Sequence, residues 1–177
     1  MKDHILIKLD STTELLQYFT GSVTTTQATK KYAATAIGSG LTAGEKVVFA
    51  GFSNADSNGT KTLATVAANE VTVEEAIGTS ESGVTATVNQ EWQGEWKEVD
   101  QFSHLLSTIN TSGNAYAYVD QSADGVNTDY TTTITVTAAT AKADSIETVL
   151  PFARLRVRTN AADQTSMRAY LFGRRIT

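Results

Sequence analysis

Short runs of alternating apolar and polar residues recur along the chain and predict β-strands. The first run lies at 4–9, where Ile5, Ile7 and Leu9 share one face, and the polar residues at 10–12 predict a turn that ends it. Further strands, separated by turns rich in Gly, Asn, Asp and Ser, are predicted at 46–52, 61–66, 69–73, 83–88, 95–99, 102–109, 114–120, 131–137, 146–150, 152–158 and 167–172. The pattern therefore predicts an all-β fold with little helix.

These strands fall into two groups, which predict two β domains. The strands within 34–90 are short and joined by short polar turns, which is typical of a small antiparallel barrel. The strands within 91–177 suit a β-sandwich of the jelly-roll type. Residues 1–33 are then an N-terminal arm that carries the first strand, with linker candidates at 20–31 and 87–94. The sequence is equally compatible with an arrangement in which residues 1–20 give a strand to the sandwich and the barrel is an insertion.

Composition agrees with the strand pattern and removes most catalytic chemistry. The 177 residues include 29 Thr, whose β-branched side chain suits a pleated sheet, but no Cys, two His and one Pro. A chain without Cys has no disulfide framework, thiolate nucleophile or Cys-based zinc site, and two isolated His cannot complete a zinc shell. The sequence also contains no GxSxG, P-loop, HExxH or GxGxxG motif. We therefore expect a protein that is not an enzyme, with no catalytic residues, no metal ligands and no cofactor.

Acidic and histidine side chains do not predict an active site. Glu74 and Glu75 are neighbours in extended chain and point to opposite faces, so they cannot converge as a general acid and base. His104 alternates with apolar residues, and we expect a half-buried structural role for it. The segment 120–129 resembles the start of a calcium-binding loop but lacks its terminal bidentate Glu, so we expect a hairpin loop in which Gly125 takes a positive φ.

Charge is distributed unevenly along the chain. The net charge of −5 combines −10 over residues 1–150, with 8 Lys and 18 Asp or Glu, and +5 over residues 151–177, with 6 Arg and one Asp. Such an asymmetry predicts a contact with nucleic acid or a docking surface for an acidic protein. All six arginines lie in the last 24 residues and are the predicted interface residues: Arg154, Arg156, Arg158, Arg168, Arg174 and Arg175.

Three of these arginines predict a charged row on one strand. In 152–158 every second residue from Arg154 is an arginine, so three guanidinium groups lie on one face at intervals of about 6.6 Å. Like charges in a row repel, so this face needs acidic neighbours from another strand of the chain, another subunit or a partner. We expect Arg168, Arg174 and Arg175 to extend the patch. Nucleic acid is disfavoured as the partner because the whole chain is acidic and few aromatic residues accompany the basic ones.

Aromatic residues predict a second candidate surface. Trp92, Trp96, Tyr116 and Tyr118, together with Tyr170, are candidates for a sugar-stacking or partner-binding platform. Large aromatic side chains also fill cores and interfaces, and the sequence does not separate the two uses.

Two segments resemble structural proteins of bacteriophage virions. Residues 47–88 are similar to a small β module of phage tail and head proteins, through a strand ending in Gly-Phe, an Asn-rich turn closing on Asn58-Gly59-Thr60, and Glu81-Ser82-Gly83 before the last strand. Residues 113–129 and 151–175 are similar to sandwich domains of phage fibre-like and capsid-surface proteins. The shared residues are the loop Ser122, Asp124, Gly125 and Asn127 and the strand Arg154, Arg156, Val157, Arg158 and Asn160. The fibre-like relatives often follow a long shaft, which this chain lacks.

The resemblance implies a structural role in a virion, with synthesis in the host cytoplasm. We expect a capsid decoration (cement) protein that contacts the major capsid protein or other virion proteins and forms a homo-oligomer, with a trimer favoured. The alternative is a tail, neck, baseplate or fibre component whose sandwich binds a receptor or carbohydrate; a free carbohydrate-binding module is a third hypothesis. No membrane contact or secretion is expected, because no apolar run approaches the ~18 residues of a membrane span and the first ten residues contain acids.

Overall fold

The computed structural model describes residues 4–176, which are all-β as predicted. They form 14 antiparallel strands in two sheets, two single turns of 3₁₀-helix at Gln27–Thr29 and Ala55–Ser57, and no α-helix. The strands in chain order are β1 His4–Thr12, β2 Tyr18–Thr26, β3 Lys31–Ala33, β4 Lys46–Ala50, β5 Gly59–Ala67, β6 Glu70–Val73, β7 Val84–Gln93, β8 Lys97–Glu98, β9 His104–Thr111, β10 Ala115–Ser122, β11 Tyr130–Val136, β12 Lys142–Glu147, β13 Phe152–Thr159 and β14 Met167–Ile176.

The described residues divide into two compact units. Unit 2 comprises residues 16–91 and 161–163, and unit 1 comprises residues 4–15, 92–160 and 164–176. The boundary after residue 15 lies within the segment 1–33, and residues 16–91 of unit 2 lie between two segments of unit 1 in the chain. The reason lies in strand pairing, because β1 pairs with β14 of unit 1, whereas β2 and β3 pair with strands of unit 2.

Unit 2 is a closed ring of six antiparallel strands in the order β7, β2, β3, β6, β5 and β4, with β4 pairing back to β7. Unit 2 contains a cluster of buried apolar residues, in which the Tyr32 ring stacks on Phe49 with ring centroids 3.8 Å apart. The Tyr32 hydroxyl donates a 2.9 Å hydrogen bond to the Ser57 carbonyl, which satisfies the polar end of this buried ring. The other buried apolar residues of the ring are Val23, Ile37, Val47, Phe52, Leu63, Val71, Val73, Ile77, Ala86 and Val88.

Strands occupy both predicted linkers, although the boundary between the two units at 91/92 falls within the second. Residues 20–31 lie mainly in β2 and the turn that leads to β3, and β2 places Val23 and Thr25 in the interior of unit 2. Residues 87–94 lie mainly in β7, which is longer than the strand predicted at 83–88. Threonine explains the first error, since a half-buried strand rich in Thr has the polarity of a loop.

Unit 1 is β-sandwich-like, with one layer ordered β1-β14-β9-β12 and the other β11-β10-β13, to which β8 adds beside β13. Every second side chain of β9 and β13 is buried, and the two layers supply the core residues Leu105, Ile109, Val119, Ile134, Leu155, Val157 and Leu171. This alternation fixes which residues face outward on each layer, and so it positions the arginines.

Two strand ends differ from the prediction. β1 continues through the turn predicted at 10–12 and pairs with β14 as far as Thr12, with a bulge between Lys8 and Asp10. The strand predicted at 146–150 lies instead at Lys142–Glu147, where it pairs with β9.

Candidate functional site: an arginine and aromatic ladder

The alternation of β13 is as predicted. Ala153, Leu155 and Val157 are fully buried in the core of unit 1, and the arginines between them point to the outer face. The neighbouring strand β10 sets what these arginines meet. In the antiparallel register of β10 and β13, Tyr116 lies opposite Arg158, Tyr118 opposite Arg156, and Asp120 opposite Arg154.

Guanidinium groups and aromatic rings stack along this outer face. The Arg154 guanidinium carbon lies 4.2 Å from the centroid of the Trp96 ring, and that of Arg156 lies 4.7 Å from the Tyr118 ring. Arg158 lies 5.5 Å from the centroids of both tyrosine rings. All four contacts fall within the range of cation–π attraction. We call this row the ladder; its members are Trp96, Tyr116, Tyr118, Asp120, Arg154, Arg156 and Arg158.

Asp120 is the acid that the arginine row requires, and it comes from the same chain. Its fully buried carboxylate accepts hydrogen bonds from Arg154 Nε at 3.0 Å, from Arg156 Nε at 2.6 Å and Nη2 at 2.9 Å, and from Thr131 Oγ1 at 2.8 Å. Burial raises the pKa of Asp120, but the hydrogen bonds and positive charge of Arg156, with further bonds from Thr131 and Arg154, outweigh burial and hold the pKa below its usual value. Asp120 is therefore ionised at neutral pH and joins two arginines to the sheet.

The three arginines of the ladder consequently differ in role. The side chains of Arg154 and Arg156 are only 14% and 19% exposed and are held by Asp120. Arg158 is half-buried, and among residues 4–176 no carboxylate lies within ion-pair distance of it. One acid against three arginines leaves the ladder with a net charge of +2. Arg158 is the end of the ladder at which this charge is not matched.

Arg168, Arg174 and Arg175 do not extend the ladder. They lie on β14, which belongs to the other layer of unit 1, and Arg168 and Arg174 alternate with buried Ala169 and Leu171 so that they face outward from that layer. Tyr170 is on the same strand, where it stacks with Phe172 at 6.0 Å between centroids, and so it is separate from the tyrosines of β10. The basic C-terminal segment therefore contributes to two surfaces.

The proposed sugar platform is altered by the same contacts. Guanidinium groups lie over Trp96, Tyr116 and Tyr118, and these rings are half-buried, so each ring already stacks with an arginine. Trp92 is half-buried beside Gly94 and is not a member of these stacked contacts. Trp96, Tyr116 and Tyr118 thus act first as supports for the arginines.

The remaining candidates are structural in their contacts. Glu75 accepts hydrogen bonds from the Thr62 N–H and hydroxyl, which outweigh the effect of burial and lower its pKa, whereas Glu74 is exposed. His104 is half-buried, with Nδ1 3.2 Å from the Ser103 hydroxyl.

The loop after β10 is organised by Asp124. Its carboxylate accepts hydrogen bonds from the backbone N–H groups of Val126 and Asn127, from the Asn127 amide and from the Ser122 hydroxyl, and these bonds lower its pKa strongly. Gly125 has a φ of 71°, as predicted. Across residues 4–176 no group of three or more His, Asp or Glu side chains is placed to hold a metal ion. The carboxylate that suggested a calcium loop instead closes a turn.

A cleft of about 220 Å³ in unit 2 was not indicated by any sequence motif. Phe19, Ile37 and Val88 contribute apolar walls, and the Asp163 carboxylate accepts a 2.6 Å hydrogen bond from the Tyr18 N–H. No histidine or second acid is among the described residues that line it, so the cleft offers no acid and base pair.

Asp120 and Thr131 are the site residues that sequence reasoning missed. Asp120 ends the alternating segment 114–120 on the same face as Tyr116 and Tyr118, which is a usable signal. Its contact with the arginines depends on the pairing of β10 with β13, which two other strands separate in the sequence.

Comparison with known proteins adds no family: no protein-family model and no curated protein matches this sequence. Among the described residues, no helix has the length and apolar character needed to cross a membrane.

Proposed function

We propose that this chain is a structural protein of a bacteriophage virion and that it serves as a capsid decoration protein. Two things support the proposal: the resemblance of residues 47–88, 113–129 and 151–175 to virion proteins, and an all-β architecture whose polar clusters are occupied in holding strands and loops together. In this role the protein is made in the host cytoplasm and assembles onto the major capsid protein or other virion proteins as a homo-oligomer.

The observation that carries the proposal is the Arg158 end of the ladder. Arg154 and Arg156 are fixed by Asp120, and Tyr116 and Tyr118 pack against Arg158, so the cation lies on an ordered surface that has little freedom left to lose on binding. A pre-ordered arginine binds a carboxylate at lower entropic cost than a free one does. This surface fits an acidic protein partner.

The mechanism is mechanical. Each copy bridges neighbouring capsid subunits, and the surface that it buries stabilises the assembled shell by mass action, because the decoration protein binds the closed lattice in preference to the separated subunits. No catalytic step is required of the chain.

Copy number in purified virions tests the function. Quantitative mass spectrometry against the major capsid protein is expected to give hundreds of copies per particle, as a lattice requires. About a dozen copies or fewer, as found at a symmetric tail, neck or baseplate ring, would replace decoration by the alternative role. Absence of the protein from purified particles would contradict the virion proposal itself.

Arg158→Ala tests the contact. Binding of the variant to particles that lack the protein is expected to weaken about thirtyfold or more, since truncating one member of a desolvated charge pair costs about 2 kcal/mol or more. Wild-type binding is expected to weaken as salt rises. Arg175→Ala, on the other layer of unit 1, is the matched control; equal binding of both variants would exclude the ladder from the contact. A triple Ala variant is unsuitable because it leaves Asp120 buried without its arginines.

A further inference from the structure

The first strand exposes an unusual run of apolar side chains. Ile5, Leu6 and Ile7 are 46%, 55% and 43% exposed, although each lies within a regular strand. β1 is at the end of its layer, and in the part of the chain that the structure describes its only strand partner is β14. The backbone groups along its other edge are therefore open to a further strand.

The run is apolar on both faces of the sheet. Ile7 lies opposite Gly173, whose position is buried in the core of unit 1, whereas Leu6 lies opposite Arg174 on the outer face. Strands that are apolar on both faces are typical of sheet interiors, where neighbours cover them on both sides. Edge strands of stable monomers are instead protected by charges, prolines or bulges. In β1 the single lysine, Lys8, and the bulge that follows it both lie after the exposed apolar residues 5–7, so this part of the edge has no such protection.

We propose that β1 is the contact between two copies of this chain, which pair edge to edge in antiparallel register about a two-fold axis at Ile7. In this register Ile7 faces Ile7 of the second copy, Ile5 faces Leu9, and Leu6 faces Lys8. The result is one continuous sheet of eight strands from two four-stranded layers. The inference holds whatever role the protein has in a virion.

Charge is what favours a second copy as the occupant. Lys8 is the one charged residue within 5–9, and pairing about Ile7 places it opposite Leu6 instead of opposite its own mate, so no like charges face each other. The methylene stem of Lys8 then covers the exposed Leu6 side chain while its ammonium group stays in water. The same register pairs the apolar residues Ile5, Ile7 and Leu9 only with one another. The bulge between Lys8 and Asp10 stops the pairing beyond Leu9, which limits the added ladder to residues 5–9 of each copy.

The test uses the fact that the chain contains no cysteine. Directly opposed residues of an antiparallel pair have Cα atoms about 4.5–5.5 Å apart, which lies within the range that a disulfide spans. Ile7→Cys is therefore expected to form a covalent dimer on mild oxidation, and wild-type protein is expected to sediment as a dimer of about 38 kDa, twice 18.9 kDa. Ile5→Cys is the register control: its mate lies about 13 Å away, four residues along the strand, so it cross-links with Leu9→Cys but not with itself.

Val126→Cys, which is 74% exposed in a loop of unit 1, measures random collision. Ile7→Lys places two ammonium groups opposite each other and is expected to give a folded monomer, checked by circular dichroism. The proposal is overturned if wild-type protein is monomeric at tens of micromolar and Ile7→Cys cross-links no faster than Val126→Cys. A dimer that survives Ile7→Lys would place the interface elsewhere. A monomer that adds β1 to a strand of a different virion protein, with the addition lost in Ile7→Lys, would identify a foreign strand as the occupant.

Discussion

Removing the carboxylate of Asp120 is expected to destabilise unit 1 by about 3 kcal/mol. In Asp120→Ala four hydrogen bonds to a charged group are lost, from Arg154, from Arg156 twice and from Thr131. Counted separately at about 1.5–3 kcal/mol each, these bonds would sum to more than the loss we expect. They are not additive, because both arginines keep their aromatic contacts and, at 14% and 19% exposure, regain some contact with water. Breaking a buried pair from one side costs about 3–5 kcal/mol, and the partial exposure places this case at the lower end.

Tryptophan fluorescence in a urea titration measures this loss directly. Both tryptophans of the chain, Trp92 and Trp96, lie in unit 1, so their emission reports the unfolding of that unit. A change of 3 kcal/mol corresponds to a fall in Tm of about 6–12 °C for a chain of this size. Asp100→Ala is the matched control, because Asp100 is exposed and its substitution should change the free energy of unfolding by less than about 0.5 kcal/mol. If Asp120→Ala behaves like this control, the carboxylate does not hold the ladder.

A second variant, Asp120→Asn, separates the effect of the Asp120 charge from that of its shape through the pH dependence of stability. The pKa of Asp120 is lower in the folded than in the unfolded chain, where it is near 3.8, so its contribution to stability is present above that value and is lost as the pH falls through the lower, folded value. Asp120→Asn retains an acceptor oxygen but carries no charge. It should therefore lose stability relative to wild type at pH 7, and the difference should shrink below about pH 4. A difference that is constant with pH would show that charge is not the cause.

Two further substitutions test local features of unit 1. Asp10 has a buried carboxylate oxygen without a hydrogen-bond partner, and burial raises its pKa, so its charge costs stability at pH 7. Asp10→Asn should therefore unfold at a higher urea concentration than wild type at pH 7. This advantage should vanish as the pH falls below the raised pKa of Asp10. An advantage that persists in acid would contradict this assignment. Gly125→Ala should lower the free energy of unfolding by about 1 kcal/mol, because φ at Gly125 is 71° and the new methyl group would lie 3.3 Å from Phe152. Ala123→Gly in the same loop is the control. An equal loss of stability in both variants would contradict the explanation from the backbone conformation of Gly125.

The outward-facing arginines of β13 could be predicted because alternation is a local property of a strand. Arg154, Arg156 and Arg158 share a face whatever strand lies beside them, and their need for an acid follows from Coulomb repulsion alone. The identity of that acid is not local. Asp120 meets Arg154 only because β10 and β13 pair in one register, although β11 and β12 separate them in the chain.

The prediction that all six arginines form one patch is wrong for the same reason: it depends on how distant strands are arranged. The alternating residues of β13 and of β14 each predict a strand, but neither pattern indicates that the two strands belong to different layers. The Thr-rich segment at 20–31 is mistaken for a linker for a different reason. β2 contributes Val23 and Thr25 to the interior of unit 2, yet its mean polarity is that of a linker, so only its pairing with β7 and β3 shows that it is a strand.

The pairing of β1 with β14 also has a consequence for synthesis on the ribosome. Ile5 lies opposite Arg175, so β1 cannot pair with β14 until a further 170 residues have been synthesised. At about 5–20 residues per second this interval lasts roughly 10–35 s, during which both edges of an apolar strand are open in the nascent chain. Residues 16–91, which hold all six ring strands of unit 2 apart from the end of β7, emerge within that interval. Translation speed through the last third of the message, and chaperones that bind β1 in the meantime, should therefore govern the yield of soluble protein more than they do for a chain whose neighbouring strands pair as they appear.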